Sequence, residues 1–384
     1  MSTTKSKIVF VSTMYGYPWG GSEELWSRAA LDLRAQGFLV SVSVAQSSPL
    51  HPRVLDLQAH GVELWPRPAS YSRRKHPSRW FLSRGDNPLR FEVERLLAAR
   101  QPAIVVFSDG AALPPVQLLE LCIAKNLPFV TIGQSNSTDA WPPDPVAARY
   151  RAALPAALRC YFVSDSNRRL AEKQIGTELP NAEVVRNPAN ISHEVSLPWP
   201  YREKDGEFRF ACVGRLHPPS KGQDILLEAL AGKAWKERNW RLFLYGEGAM
   251  RQGLERLAAR LGISDRVMFS GVAAVEEIWS AHHLLVMPSR YEGLPLAMVE
   301  AMLCARPVVA TDVAGHSEII EDGVTGFLAN APTAESFAEA LERFWLRREE
   351  AESIGKAGAV RIRRLIPPDP ARIFSEKLKA FVTI

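Results

Sequence analysis

Short apolar runs alternate along this chain with longer stretches whose apolar positions recur every three to four residues. The first runs are 7–12 (KIVFVS) and 39–44 (LVSVSV), and the stretch 23–36 between them reads as a helix that Gly37 stops. The alternation continues through strands at 104–107, 129–132 and 161–164, with helices over 115–125, 147–158 and 166–174. A polar, proline-bearing stretch at 191–207 interrupts it. It then resumes with strands at 208–213, 241–245, 267–270, 284–287 and 308–311 and helices opening near 223, 248 and 295. Helices over 334–348 and 351–364 follow, and after Pro367-Pro368 a last helix covers 370–381. Short strands that are apolar throughout and separated by helices imply parallel sheets covered on both faces. The expected fold is α/β, with two Rossmann-like, doubly wound parallel-sheet domains facing a cleft. The expected boundaries are 1–190 for the first domain, 191–207 for a linker and 208–366 for the second domain. Residues 367–384 should carry the terminal helix back to the first domain.

The most informative stretch is 284–328. Its strand ends at Pro288-Ser289, a loop carries Glu292 and Gly293, and Pro295 is placed as the first residue of a helix expected to run to 305. Free N–H groups from Leu294 to Met298 would suit a phosphate, because a helix start combines unpaired donors with the positive end of the dipole. Glu300 lies four residues after Leu296 among Met298, Val299, Ala301 and Met302, so it leans back toward that end and needs a partner. A carboxylate beside a phosphate is well suited to two ribose hydroxyls. The plainer reading makes Glu300 a surface charge on an amphipathic helix. Arg215 and Lys221 flank a loop directly after the 208–213 strand and could neutralise a departing diphosphate; an ordinary surface pair is the alternative.

In the first half, Gly20-Gly21 sits at a strand–helix junction, where it either admits a ligand or simply makes a tight turn. The dinucleotide fingerprint GxGxxG is missing there, which argues against NAD or FAD. Strand ends should place Asp109 and Gln134 on the rim where ligands meet such sheets, with Trp141 in the following loop. Asp109 would equally serve as a helix cap.

Composition narrows the class further. A chain of 384 residues exceeds one ordinary core. Its apolar runs fall short of the roughly 18–20 residues that span a bilayer, and the first is too short for a signal peptide, so a cytoplasmic location is expected. The four cysteines are scattered without a CxxC and the eight histidines show no ligand spacing, so neither a disulfide framework nor a bound metal is expected. The net charge of +5 is uneven: residues 1–190 hold 22 Lys/Arg against 16 Asp/Glu. The segment from Arg67 to Arg84 concentrates the excess, with Tyr71, Trp80 and Phe81 interleaved. It suits peripheral contact with the inner membrane face or an acidic acceptor, against a merely solvated basic loop. No nucleic-acid motif accompanies it.

The second half resembles retaining GT-B-fold glycosyltransferases of glycosyltransferase family four. The resemblance rests on VGRLHPPSKGQDILLEAL (213–230), LYGEGAMRQGLERL (244–257), ISDRVMFSGV (263–272) and the long motif 288–328. The first half matches in outline, through Gly20-Gly21, VSDSNRRLA (163–171) and RNPAN (186–190). The resemblance implies a metal-independent, retaining sugar transfer from a nucleotide-diphosphate sugar, UDP-sugar favoured, to a saccharide or lipid-linked acceptor. It makes Arg215 and Lys221 ligands of the donor diphosphate, Glu292 (with Gly293) a catalytic group beside the donor sugar, and Glu300 the ribose ligand. Leu296 and Ala297 would add amides, Gly20 and Gly21 would approach the donor, and backbone at Val272 would read the base. Gln134 stands where many members carry a histidine near the donor sugar. A glutamine cannot act as a base, which bears on two alternatives: a sugar-nucleotide epimerase, and a binding subunit without turnover.

Overall fold

A computed structural model describes residues 6–14, 19–47, 49–68, 88–203 and 206–382. The chain divides into two compact units, residues 1–188 with 369–384, and residues 189–368.

The first unit is built on seven strands: β1 (Lys7–Ser12), β2 (Leu39–Ala45), β3 (Glu63–Arg67), β4 (Ile104–Asp109), β5 (Phe129–Gly133), β6 (Arg159–Phe162) and β7 (Ala182–Val184). They pair in parallel in the order β3-β2-β1-β4-β5-β6-β7. β1 lies centrally and β4 is buried along its whole length, which is why both read as continuous apolar runs. The sixth strand begins two residues earlier than its apolar run suggested, because Arg159 pairs with Val130 although it is exposed. The helix expected at 147–158 covers Asp144–Ala153 and ends in a 3-10 turn, Leu154–Ala156, around Pro155. The terminal helix, Pro370–Ala380, belongs to this unit. It buries Phe374 and Leu378 in the same core as Phe10, Trp26 and Leu33. Phe374 meets Tyr161 edge-on at 5.2 Å between centroids, and Ser375 and Lys377 bond to Asp32 and Glu183.

The second unit holds β8 (Phe208–Val213), β9 (Trp240–Tyr245), β10 (Val267–Gly271), β11 (Leu284–Met287), β12 (Val308–Thr311) and β13 (Phe327–Ala329). All pair in parallel in the order β10-β9-β8-β11-β12-β13. The order reverses between β8 and β11, so the loops following these two strands diverge to opposite faces and leave a crevice at their ends.

The stretch read as a linker is fastened to this unit. Arg363 donates to the carbonyls of His193 (2.9 Å) and Val195 (2.7 Å). Arg306, fully buried, donates to Pro198 O (2.7 Å), Trp279 O (2.8 Å) and Cys304 O (2.8 Å), and lies 5.2 Å from the Trp199 ring centre. Three carbonyl dipoles and an aromatic face thus surround its charge, and burial pulls its pKa down to about 10.

The helix after β11 spans Leu296–Leu303, shorter than the pattern predicted, with Pro295 outside it as the cap residue. Its end is set by Ala305, which takes the left-handed conformation (φ 58°) that terminates helices. Glycine adopts this conformation without the Cβ penalty that alanine carries. Ala305→Gly is therefore expected to stabilise the protein by about 0.5–1 kcal/mol. A denaturant midpoint that falls in this variant would contradict the strain argument.

Candidate active site

The crevice of the second unit is lined by two strand-end loops and the helix start. The loop after β8 contains Arg215 and a short helix, Pro218–Lys221, where the sequence pattern predicts loop throughout. Gly222 follows at φ 63°, and a Cβ there would stand 1.9 Å from Pro288 O. That contact is why this position has no side chain: it lets the loop after β8 lie directly on the loop after β11. The two are then clamped. Arg290 makes paired 2.7 Å bonds to Asp224, a third of 2.7 Å to Pro218 O, and its amide donates to Ser220 O at 2.8 Å.

This clamp brings Lys221 against Glu292. Lys221 Nζ lies 2.5 Å from Glu292 Oε1, which also accepts from Ser289 Oγ at 2.9 Å. Glu292 is buried while the Lys221 side chain keeps 26% of its exposure, so the ammonium lies on the accessible side of the pair. Arg215, half-buried, has its carbonyl fixed by Gln223 Nε2 at 2.7 Å, and its guanidinium acts with Lys221 to disfavour the charged form of His217 after burial has done so first. Gly293 O accepts from Gly315 N at 3.2 Å, tying this loop to the one after β12.

His316, which the sequence does not single out, is fully buried and interacts electrostatically with both members of this pair. Its Nδ1 donates to Thr311 O (2.6 Å), and Nε2 has no hydrogen-bond partner among the described residues. Burial lowers its pKa, opposed by the Glu292 carboxylate and reinforced by Lys221. Its HS spacing in AGHSE carries no motif that could have announced it.

At the helix start the donors are fewer than expected. Met298 N–H is taken by Pro295 O (3.1 Å), whereas Leu296 and Ala297, at the first two helical positions, have no carbonyl four residues back within the helix. Glu300 is buried, and its Oε1 accepts from the amide (2.9 Å) and side chain (3.2 Å) of Asn190. It is not a surface charge. Asn190 was visible in RNPAN, but its pairing across 110 residues of sequence was not. Val272, just past the end of β10, is 77% exposed.

In the first unit the rim residues are more engaged than predicted. Gly20 is extended (φ −163°, ψ 174°) and leads into a 3-10 turn, Gly21–Glu23, so the helix proper begins at Glu24. Asp109 is buried; it accepts from Thr13 Oγ1 and from Ala111 N (2.7 Å). Burial raises its pKa to about 6 against those two donors. It holds the loop after β1 to the end of β4. Gln134 is buried too, accepting from Asn187 Nδ2 at 2.8 Å with its own Nε2 3.5 Å from Ser108 Oγ. Glu23, which no sequence motif marks, is buried, and burial raises its pKa to about 7, opposed first by the Ser12 hydroxyl. Trp141 is 55% exposed in its loop. Arg67, the first residue of the basic segment, is not at the surface: it is buried at the end of β3 and donates to Ser12 O and Ser43 Oγ (3.2 Å). The segment's remaining residues, Tyr71, Arg73, Arg74, Lys75, Arg79, Trp80, Phe81 and Arg84, lie outside the described residues. Among the described residues no group of three or more His, Cys, Asp or Glu side chains is placed to hold a metal, and no helix is long and apolar enough to cross a membrane.

Two Rossmann-like units, the second bearing a cation pair and a helix start at its topological switch point, define a GT-B fold. A crystal structure of Anabaena HepE in complex with UDP and glucose shares it, with a TM-score of 0.72 at 20% identity over 98% of this chain and 100% of that one. Residues 207–346 match the family model of glycosyl transferases group 1. The alpha-D-kanosaminyltransferase of Streptomyces kanamyceticus is 37% identical over 134 residues, 34% of this chain and 34% of its own length. The GDP-mannose-dependent alpha-(1-6)-phosphatidylinositol monomannoside mannosyltransferase of Mycobacterium tuberculosis is 32% identical over 158 residues, 38% and 40% of the two chains. The chain thus spans well under half the length of these curated relatives.

Proposed function

We propose that this protein transfers a sugar from a nucleoside-diphosphate sugar to a hydroxyl of a saccharide or lipid-linked acceptor, with retention of configuration and without a metal ion. The observation that carries the proposal is that Lys221 pairs with Glu292 in the loop leading into helix Leu296–Leu303, while the buried Glu300 of that helix is held by Asn190. The bond between the anomeric carbon and the diphosphate oxygen breaks, and its electron pair leaves on that oxygen. Lys221, Arg215 and the amides of Leu296 and Ala297 stabilise the charge as it develops. Glu292 supplies negative potential beside the anomeric carbon, and Glu300 accepts from ribose hydroxyls. The acceptor hydroxyl adds from the face the diphosphate leaves and gives its proton to the departing phosphate oxygen.

A uridine nucleotide is the favoured donor, supported by the UDP in the HepE structure; the GDP-mannose relative makes guanosine the natural competitor. The engaged amide of Gln134 offers neither acid nor base, which weighs against the epimerase alternative. Acceptor recognition falls to the first unit, near Trp141. The basic residues from Arg73 to Arg84 suit an acidic acceptor or the inner face of a membrane, consistent with action in the cytoplasm.

A thermal-shift screen of UDP, GDP and ADP and their sugar conjugates tests this directly. A ligand at a hundred times its Kd adds about 2.7 kcal/mol to the folded state. UDP and UDP-sugars are expected to raise the melting temperature most. If no nucleoside diphosphate or conjugate moves it, the proposal fails.

A further inference from the structure

Besides its potential at the anomeric carbon, Glu292 acts on the nucleotide's phosphates. A buried carboxylate 2.5 Å from the site's lysine repels the phosphate that the lysine should attract. It is also held in place: Ser289 Oγ donates to the same oxygen at 2.9 Å, and Arg290 locks the loop through Asp224 and Pro218. The arrangement is therefore built to keep a negative charge at that point.

The consequence depends on which nucleotide arrives. In a sugar conjugate the distal phosphate is a diester with one negative charge. In the free nucleoside diphosphate the same phosphate is a monoester, whose second ionisation lies near pH 6, so it carries nearly two charges at pH 7.5. The proposed donor site puts the diphosphate on Lys221 and the helix start, and the sugar beside Glu292. There the carboxylate meets neutral hydroxyls in the donor and an added anionic oxygen in the product. We infer that Glu292 is a specificity-determining residue that favours sugar-conjugated nucleotides over free nucleoside diphosphates and so hastens product release. This rests on the proposed donor site.

The test is calorimetric titration of wild type, Glu292→Gln and Glu300→Gln with UDP and UDP-glucose (GDP and GDP-mannose if those bind better), at pH 7.5 and 5.5. Glutamine preserves shape and can still accept from Ser289, so the fold should persist; melting curves check this. In Glu292→Gln, free diphosphate binding is expected to tighten relative to the conjugate by roughly tenfold or more at pH 7.5. The change should shrink at pH 5.5, where the terminal phosphate has gained its proton. Glu300→Gln removes an equal charge, but beside Asn190, and should weaken both ligands alike. An unchanged ratio in Glu292→Gln, or the same ratio change in both variants, overturns the inference while leaving the donor site standing. Failure of wild type to bind any of these nucleotides overturns the donor site itself.

Discussion

Replacing Lys221 with methionine is expected to lower sugar transfer by roughly 10²–10³-fold while leaving the melting temperature within a few degrees of wild type. Lys221 is the cation on the accessible side of the crevice, its position fixed by Gly222 and by the Arg290 clamp, and methionine keeps the length of its stem. The loss should appear in kcat as well as in donor affinity, because the charge it meets is largest when the bond to the sugar has broken. Leaving Glu292 without its ammonium partner carries a folding penalty. The Ser289 hydroxyl still donates to that carboxylate and limits it. The measurement is nucleotide release in the presence of acceptor, alongside a melting curve. Wild-type turnover in Lys221→Met would remove the lysine from the reaction. A collapsed melting curve would show that its role is to neutralise Glu292.

The two units should also respond oppositely to mild acid. In the first, burial raises Glu23 to about 7 and Asp109 to about 6, above their unfolded values. The folded unit therefore binds more protons, and its stability declines as pH rises from about 4.5 through 7. In the second, burial lowers His282 to about 4 and His283 to about 3, and lowers His316 as well. The unfolded chain takes up protons there first, so stability is lost as pH falls from about 6.5 toward those values. Each of the four groups with a stated value contributes roughly 3–5 kcal/mol across its window. His51, also lowered by burial, opposes the trend in the first unit, but only weakly because it is poorly buried. Hydrogen exchange at pH 4.5 and 6.5, corrected for intrinsic rates, should show β8 and β11 losing protection in acid while β1 and β4 keep or gain it. Parallel loss in both units would refute the assignment, and Glu23→Gln should flatten the response of the first.

How much of this could be read from the sequence depended on how local each feature is. The strand–loop–helix at 284–303 was legible because strand, breaker and helix each have their own pattern, and Glu300 announced itself as a charge in apolar company. β3, β7 and β13 were not seen. β7 and β13 have three residues each, and β3 (ELWPR) is a half-exposed edge strand interrupted by Pro66, which leaves no apolar run to detect. Arg67 reads as part of a basic surface segment because its neighbours in sequence are basic, whereas its neighbours in space are Ser12, at the end of β1, and Ser43, within β2. Asp109 and Gln134 stand at the strand ends that the pattern predicts, but their partners Thr13 and Asn187 come from distant segments that no local pattern reveals. Glu23 looked like any acidic residue at a helix start until the fold enclosed it.

The fastening of residues 193–199 bears on how the protein can be cut. A fragment trimmed to the family-matched region 207–346 would strip Pro198 from the Arg306 guanidinium and Asn190 from Glu300, and would lose the helix that carries Arg363. It would then hold a buried cation with fewer oxygens around it and a site carboxylate without its anchor. Any transplant of this half into another scaffold has to begin at residue 189 and run to 368, even though neither end looks like part of a domain by composition.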